Sequence, residues 1–129
     1  MYKILVADKL APKALALLEK DSRFQCDVKV GISPQELASI IGDYDGLLIR
    51  SGANVTAQAL AKPGKLRAIA RAGVGVDNVD LPAATRAGVL VMNPPDANTI
   101  STAELTIGLM LALSRNVVSA SASLRAGKW

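Results

Sequence analysis

The sequence predicts an α/β protein: a parallel sheet with helices packed on both faces, followed by a long helix that starts a second domain. Three observations carry this. Five β-rich runs recur at a spacing of roughly twenty-one residues, which is one strand, one helix and two short loops. The intervals between them hold helical patterns with recognisable caps. Half of the 129 residues are hydrophobic but only 3% are aromatic, an Ala/Val/Leu/Ile composition suited to strand–helix layers.

In chain order, the first strand is predicted in "KILVA" from Lys3, and a helix in "APKALALLEKD" from Ala11. Pro12 falls in that helix's first turn, where a missing N–H is tolerated. The second strand is "FQCDVKV" from Phe24. The next helix, "SPQELASIIGD", has Ser33 as N-cap, Pro34 at N1 and Glu36 at N3, a capping box. Strand three is "GLLIR" from Gly46, followed by a short helix "TAQALA" from Thr56 that "KPGK" ends. Strand four is "LRAIA" from Leu66. After it, "DLPAATRAG" is predicted to be a helix capped by Asp80 and stopped by Gly88. Strand five is "GVLVMN" from Gly88. Runs apolar on both faces mean a parallel sheet, and right-handed crossovers make it doubly wound, with a flavodoxin-like strand order.

The pattern then changes. "NPPDANTI" is a proline-rich hinge, and "STAELTIGLMLALSRNVVSASASLRAGKW" is predicted to be one longer helix with a second capping box at Ser101 and Glu104. From Leu105 to Leu113 it is apolar on nearly every side, too short for a membrane span and suited to burial against another domain or subunit. The expected division is a domain over 1–97 and the first helix of a truncated second domain over 98–129.

Composition narrows the function. The net charge of +4 is spread along the chain, without the basic runs or stacking aromatics of a nucleic-acid protein, so no nucleic-acid and no membrane partner is expected. The N-terminus lacks a signal-peptide pattern. Cys26 alone excludes an internal disulfide framework and fits a reducing, cytoplasmic setting, where it is expected to be a small core residue. Met92 and Met110 are expected to fill core space. Histidine is absent, which removes the commonest general acid–base group and metal ligand. No metal is expected, and if the chain belongs to an enzyme, part of its machinery is expected to lie elsewhere.

"LRAIARAGVGVDNVDLPAATRAG" holds the chemistry. Gly73 and Gly75 after a strand suggest a Gly-x-Gly-x-x-Gly dinucleotide turn, but the third glycine's position is Asn78. Ligands in open parallel sheets bind at the carboxyl ends of the strands. Those ends carry Asp8-Lys9, Arg50-Ser51-Gly52, Arg71 to Gly75, and Asn93 to Asn98. With strands three and four adjacent, Arg50 and Arg71 share an edge with a glycine loop whose N–H groups can meet an anion, helped by the positive end of the next helix. Surface arginines with no ligand are the alternative. Asp77 and Asp80 resemble an acid–base pair, but Asp80 serves better as a cap.

"RAGVGVDNVDLPAATRAGVLVMNPPDANTISTAELTIGLMLALSR", together with "GLLIRSGANVTAQAL" and "ASLRAGKW", resembles the D-isomer-specific 2-hydroxyacid dehydrogenases, most of all those acting on 3-phosphoglycerate. The resemblance implies NAD-dependent oxidation of 3-phosphoglycerate to 3-phosphohydroxypyruvate at the start of serine synthesis, by a full-length homo-oligomer of which this is the N-terminal part. It puts substrate binding on Arg50, Ser51, Arg71, Gly73, Val74, Gly75 and Asn98, and a nicotinamide contact on Val74. NAD would be held mainly by a domain beyond this chain, so the chain alone is expected to be inactive. Glyoxylate, hydroxypyruvate or lactate as substrate, or a non-catalytic anion-binding or oligomerisation module, are the alternatives.

Overall fold

The computed structural model describes residues 1–128, and the expected last residue of the second domain, Trp129, lies outside them. The chain forms two compact units, Met1–Pro95 and one beginning at Asp96. In the first unit five strands, β1 (Tyr2–Val6), β2 (Phe24–Val28), β3 (Gly46–Ile49), β4 (Ala68–Arg71) and β5 (Leu90–Met92), pair in parallel in the order β2-β1-β3-β4-β5. This is the flavodoxin-like order, with the switch between β1 and β3. β2, β3 and β5 lie within the predicted runs and are shorter, whereas β1 is shifted one residue earlier, to Tyr2–Val6, and β4 runs one residue further, to Arg71.

Register explains the core. Leu5, Leu47, Ile69 and Val91 are successive partners across four strands, so they share one face of the sheet. Helices α2 (Pro34–Ile40), α3 (Ala57–Leu60) and α4 (Leu81–Arg86) supply Leu37, Ala59, Leu60, Ala83 and Ala84 to the same cluster. Small side chains suffice because helices and sheet approach closely. Leu47 is 1% exposed, so Leu47→Ala is expected to cost about 2–5 kcal/mol through lost transfer energy and a cavity, read as a lower urea midpoint at unchanged slope.

The predicted caps at Ser33 and Asp80 form, and Thr56 adds a third. Ser33 Oγ accepts the Glu36 N–H at 3.1 Å, Thr56 Oγ1 accepts that of Ala59 at 3.4 Å, and Asp80 Oδ1 accepts that of Ala83 at 2.9 Å. Gly88 takes φ +69° after α4, and the Val89 N–H reaches back to the Ala84 carbonyl at 2.9 Å, closing the helix with a left-handed cap.

The opposite sheet face is only partly covered, by α1 (Pro12–Glu19). Tyr2, Ile4, Leu18, Leu48, Ala70 and Met92 line an apolar trough of about 340 Å³ there. Met92 is 46% exposed and Met110 65%, so neither is the core filler expected; one ends edge strand β5 and the other lies on a helix with no buried residue. Cys26 is half-buried rather than core, because β2 is an edge strand.

Tyr44 is buried, and its hydroxyl donates to Asp27 Oδ2 at 2.9 Å. Burial first, then the adjacent carboxylate, disfavours the phenolate and pushes the group up to about 12 from 10.0. The neutral phenol is the stabilising form. Its contribution is complete below pH 10 and is lost as pH rises toward 12. Tyr44→Phe is expected to flatten the alkaline decline in stability over that window, measured by urea unfolding at stepped pH.

In the second unit, α5 (Thr99–Ser114) provides the long helix expected, and α6 (Val117–Arg125) follows it. The predicted single helix is thus two. Asn116 takes φ 52°, and that left-handed residue ends one helix and begins the other. The capping box fails as well: Asn98 occupies the N-cap position, so Ser101 lies inside the first turn, and its hydroxyl donates to the Asn98 carbonyl at 3.1 Å. Leu105, Leu109 and Leu113 are all more than half exposed within this chain. No single helix among the described residues is long and apolar enough to cross a membrane.

Candidate functional site

The site lies at the carboxyl ends of β1, β3 and β4. Because Ile49 partners Arg71, the residues after β3 and β4 leave the sheet side by side. Three polar side chains fix how they leave.

Asp8, directly after the buried run Leu5–Ala7, is itself 9% exposed. Its Oδ2 accepts the N–H groups of Arg50 at 2.6 Å and Ala53 at 3.1 Å, clamping both ends of the turn Arg50–Ala53. Gly52 belongs to that turn because any Cβ there would strike Asp8 Oδ1. The Arg50 guanidinium has one long hydrogen bond, from Nη1 to the Lys9 carbonyl at 3.4 Å. Ser51 is exposed on the same turn.

Asn78 binds that turn from the other side. Its Nδ2 donates to the carbonyls of Arg50 at 2.7 Å and Ala53 at 2.6 Å, and its Oδ1 accepts Arg71 Nε–H at 3.2 Å. Its backbone carbonyl accepts the Val55 N–H at 2.9 Å, part of an isolated parallel bridge between Val55 and Val79. The third side chain is Asn93, after β5, whose Nδ2 donates to the Val74 carbonyl at 2.6 Å.

The glycine loop hangs between these anchors. The Ala72 N–H continues the sheet onto the Ile49 carbonyl at 2.8 Å, and the Gly73 N–H closes a tight turn on the Arg71 carbonyl at 2.9 Å. Beyond that turn the N–H groups of Val74, Gly75 and Val76 meet no acceptor among the described residues. A Cβ on Gly73 would meet Arg71 Nη1, so the guanidinium lies against this glycine. The Arg71 guanidinium is therefore folded over the loop, and its two terminal amino groups hold no partner among the described residues. A guanidinium beside free backbone donors is a receptor for a carboxylate or phosphate.

α4 does not follow directly on the glycines. Val76 to Asp80 first form the bridge to Val55, so α4 begins only at Leu81 and Asp80 caps it. In keeping with the sequence reading, the position a dinucleotide turn gives to its third glycine holds the Asn78 side chain, bound to the Arg50 and Ala53 carbonyls.

Of the sequence-predicted residues, Arg50, Ser51, Arg71, Gly73, Val74 and Gly75 belong to the first unit at these adjoining strand ends. Asn98 precedes α5 in the second unit, and its side chain makes no capping bond. Sequence reasoning missed the roles of Asp8, Asn78 and Asn93. A carboxylate continuing an apolar strand run was the available signal for Asp8.

The family described as "D-isomer specific 2-hydroxyacid dehydrogenase, catalytic domain" matches residues 4–127. Over all 129 residues the chain is 50% identical to D-3-phosphoglycerate dehydrogenase of Methanocaldococcus jannaschii and 46% identical to that of Rattus norvegicus, covering 24% of each. The chain thus spans about a quarter of the length of these curated relatives. Among solved structures, the PH0520 protein of Pyrococcus horikoshii superposes over the whole chain with a TM-score of 0.86 at 29% identity, the chain covering 38% of it. An NAD+-bound 3-phosphoglycerate dehydrogenase of Entamoeba histolytica matches 86% of the chain with a TM-score of 0.71 at 30% identity, 38% of that protein being covered.

Proposed function

The chain belongs to the D-isomer specific 2-hydroxyacid dehydrogenase family, and from that premise we propose that its strand-end loops form the anion-binding half of a site for 3-phosphoglycerate. The observation that carries this is the Arg71 guanidinium held over Gly73, beside the free N–H groups of Val74 and Gly75. In this reading the loop amides and Arg71 take the substrate's carboxylate, and Arg50, loosely held at the neighbouring strand end, takes its phosphate. Ser51 adds a hydrogen bond, and Val74 borders the nicotinamide. A substrate with an anion at each end suits two arginines on adjacent strands, and the names of relatives at 41–50% identity support that substrate.

What these residues contribute is orientation. Fixing both charged ends of the substrate places its C2 hydroxyl before the redox cofactor and the proton acceptor. NAD would be the cofactor and would supply the hydride acceptor. Binding of NAD falls mainly to residues outside this chain, and the proton-transfer group does too, since histidine is absent from it. The working enzyme is a cytoplasmic homo-oligomer of serine biosynthesis, and the exposed apolar α5 is among the surfaces it covers.

Calorimetric competition tests the substrate. 3-Phosphoglycerate is expected to bind this chain at least roughly ten-fold tighter than glycerate or D-lactate, since one charged anion contact is worth about 1.5–3 kcal/mol. Equal affinity for all three would favour an unphosphorylated acid such as glyoxylate, hydroxypyruvate or lactate.

A further inference from the structure

We propose that Asn78 is the positioning residue of the anion site: its side-chain amide locks Arg71 in the direction from which its terminal amino groups meet the substrate. The inference rests on the reading of Arg71 as an anion ligand.

The argument is one of valence and geometry. An asparagine amide has two N–H donors and a carbonyl acceptor, and here each kind meets its complement. Both donors face main-chain carbonyls, those of Arg50 and Ala53, and the acceptor faces Arg71 Nε. The flipped amide would set an oxygen against two carbonyls and an NH2 group against a guanidinium, so only one orientation is permitted. The amide is therefore anchored by the turn after β3 before it touches Arg71.

A guanidinium offers five N–H groups in one plane. Spending Nε–H on Asn78 fixes the plane and leaves the four on Nη1 and Nη2, folded over Gly73, whose neighbours Val74 and Gly75 have free amides. A glycine at 78, as a dinucleotide turn would require, would leave Arg71 free to rotate away. A leucine would also leave the carbonyls of Arg50 and Ala53 without their donors. The same residue joins the two arginine-bearing strand ends, since one of its contacts is the Arg50 carbonyl and another is Arg71 itself.

The test follows the Arg71 Nε–H resonance in 15N-labelled protein, assigned by its loss in Arg71→Lys, together with 3-phosphoglycerate titration. In the wild type this proton is expected to exchange slowly. Asn78→Ala should abolish the protection and weaken 3-phosphoglycerate binding by roughly ten-fold, the equivalent of one lost hydrogen bond. Asn78→Asp keeps an acceptor for Nε and should retain the protected proton while losing the two donors to the β3 turn. A merely structural asparagine would lower stability in both variants without separating them at Nε. Free exchange of Arg71 Nε–H in the wild type overturns the proposal, whatever the variants do. So does an Asn78→Ala protein that keeps the wild-type affinity. A protected Nε–H in a wild type that binds no 3-phosphoglycerate would instead remove the functional reading while leaving the hydrogen bond in place.

Discussion

Arg71→Ala is expected to weaken 3-phosphoglycerate binding to this chain by roughly 30- to 150-fold, the equivalent of about 2–3 kcal/mol for a lost charge-assisted pair. The size of the effect comes from how Arg71 is held. Its Nε is bound to Asn78 and its plane lies over Gly73, so little rotamer freedom remains to be lost on binding. Arg71→Lys keeps the charge but not the fork, and cannot both bond Asn78 and present two parallel donors. It should recover only part of the loss. Arg50 is tethered by a single long bond, so Arg50→Ala should cost less. Isothermal titration of the three variants orders them, and an unchanged affinity in Arg71→Ala would remove the residue from the site.

The second large effect falls on Asp8. Asp8→Ala removes the acceptor for the N–H groups of Arg50 and Ala53 at a position 9% exposed. One partly buried and one buried donor lose their partner, a loss of about 2–4 kcal/mol of stability, visible as a lower urea midpoint. Because those donors bracket the turn that carries Arg50 and Ser51, 3-phosphoglycerate binding should fall as well. Asp8→Asn retains a carbonyl oxygen at the same place and should be the milder change on both counts. A fully stable Asp8→Ala protein would mean that the turn is held by Asn78 alone.

These two residues show where the sequence was readable. The strands and the caps at Ser33 and Asp80 were legible because each rests on local chemistry: a run of branched aliphatics, or an oxygen three residues ahead of an N–H. The adjacency of Arg50 and Arg71 followed from strand order. The anchors did not. Asp8 acts across 42 residues on the Arg50 N–H, and Asn78 across 28 on the Arg50 carbonyl, distances at which no local pattern speaks. Asn78 was noticed only as a missing glycine, whereas its presence is what ties the loop down.

The errors have equally physical causes. The helix expected directly after the glycines begins only at Leu81 because Val79 first pairs with Val55. The single long helix was an overestimate because Arg115-Asn116 has no proline or glycine to mark it, yet asparagine tolerates the left-handed conformation found there. Met92 and Met110 were assigned to the core by residue type alone, although one ends an edge strand and the other sits on a helix exposed in this chain.

The most direct measurement is a 15N–1H titration of the wild-type chain with 3-phosphoglycerate. The account predicts saturable shifts concentrated on the amides of Val74, Gly75 and Val76 and on Arg71 Nε–H, with smaller ones at Arg50 and Ser51. Shifts that do not saturate, or that cluster away from these strand ends, would contradict it.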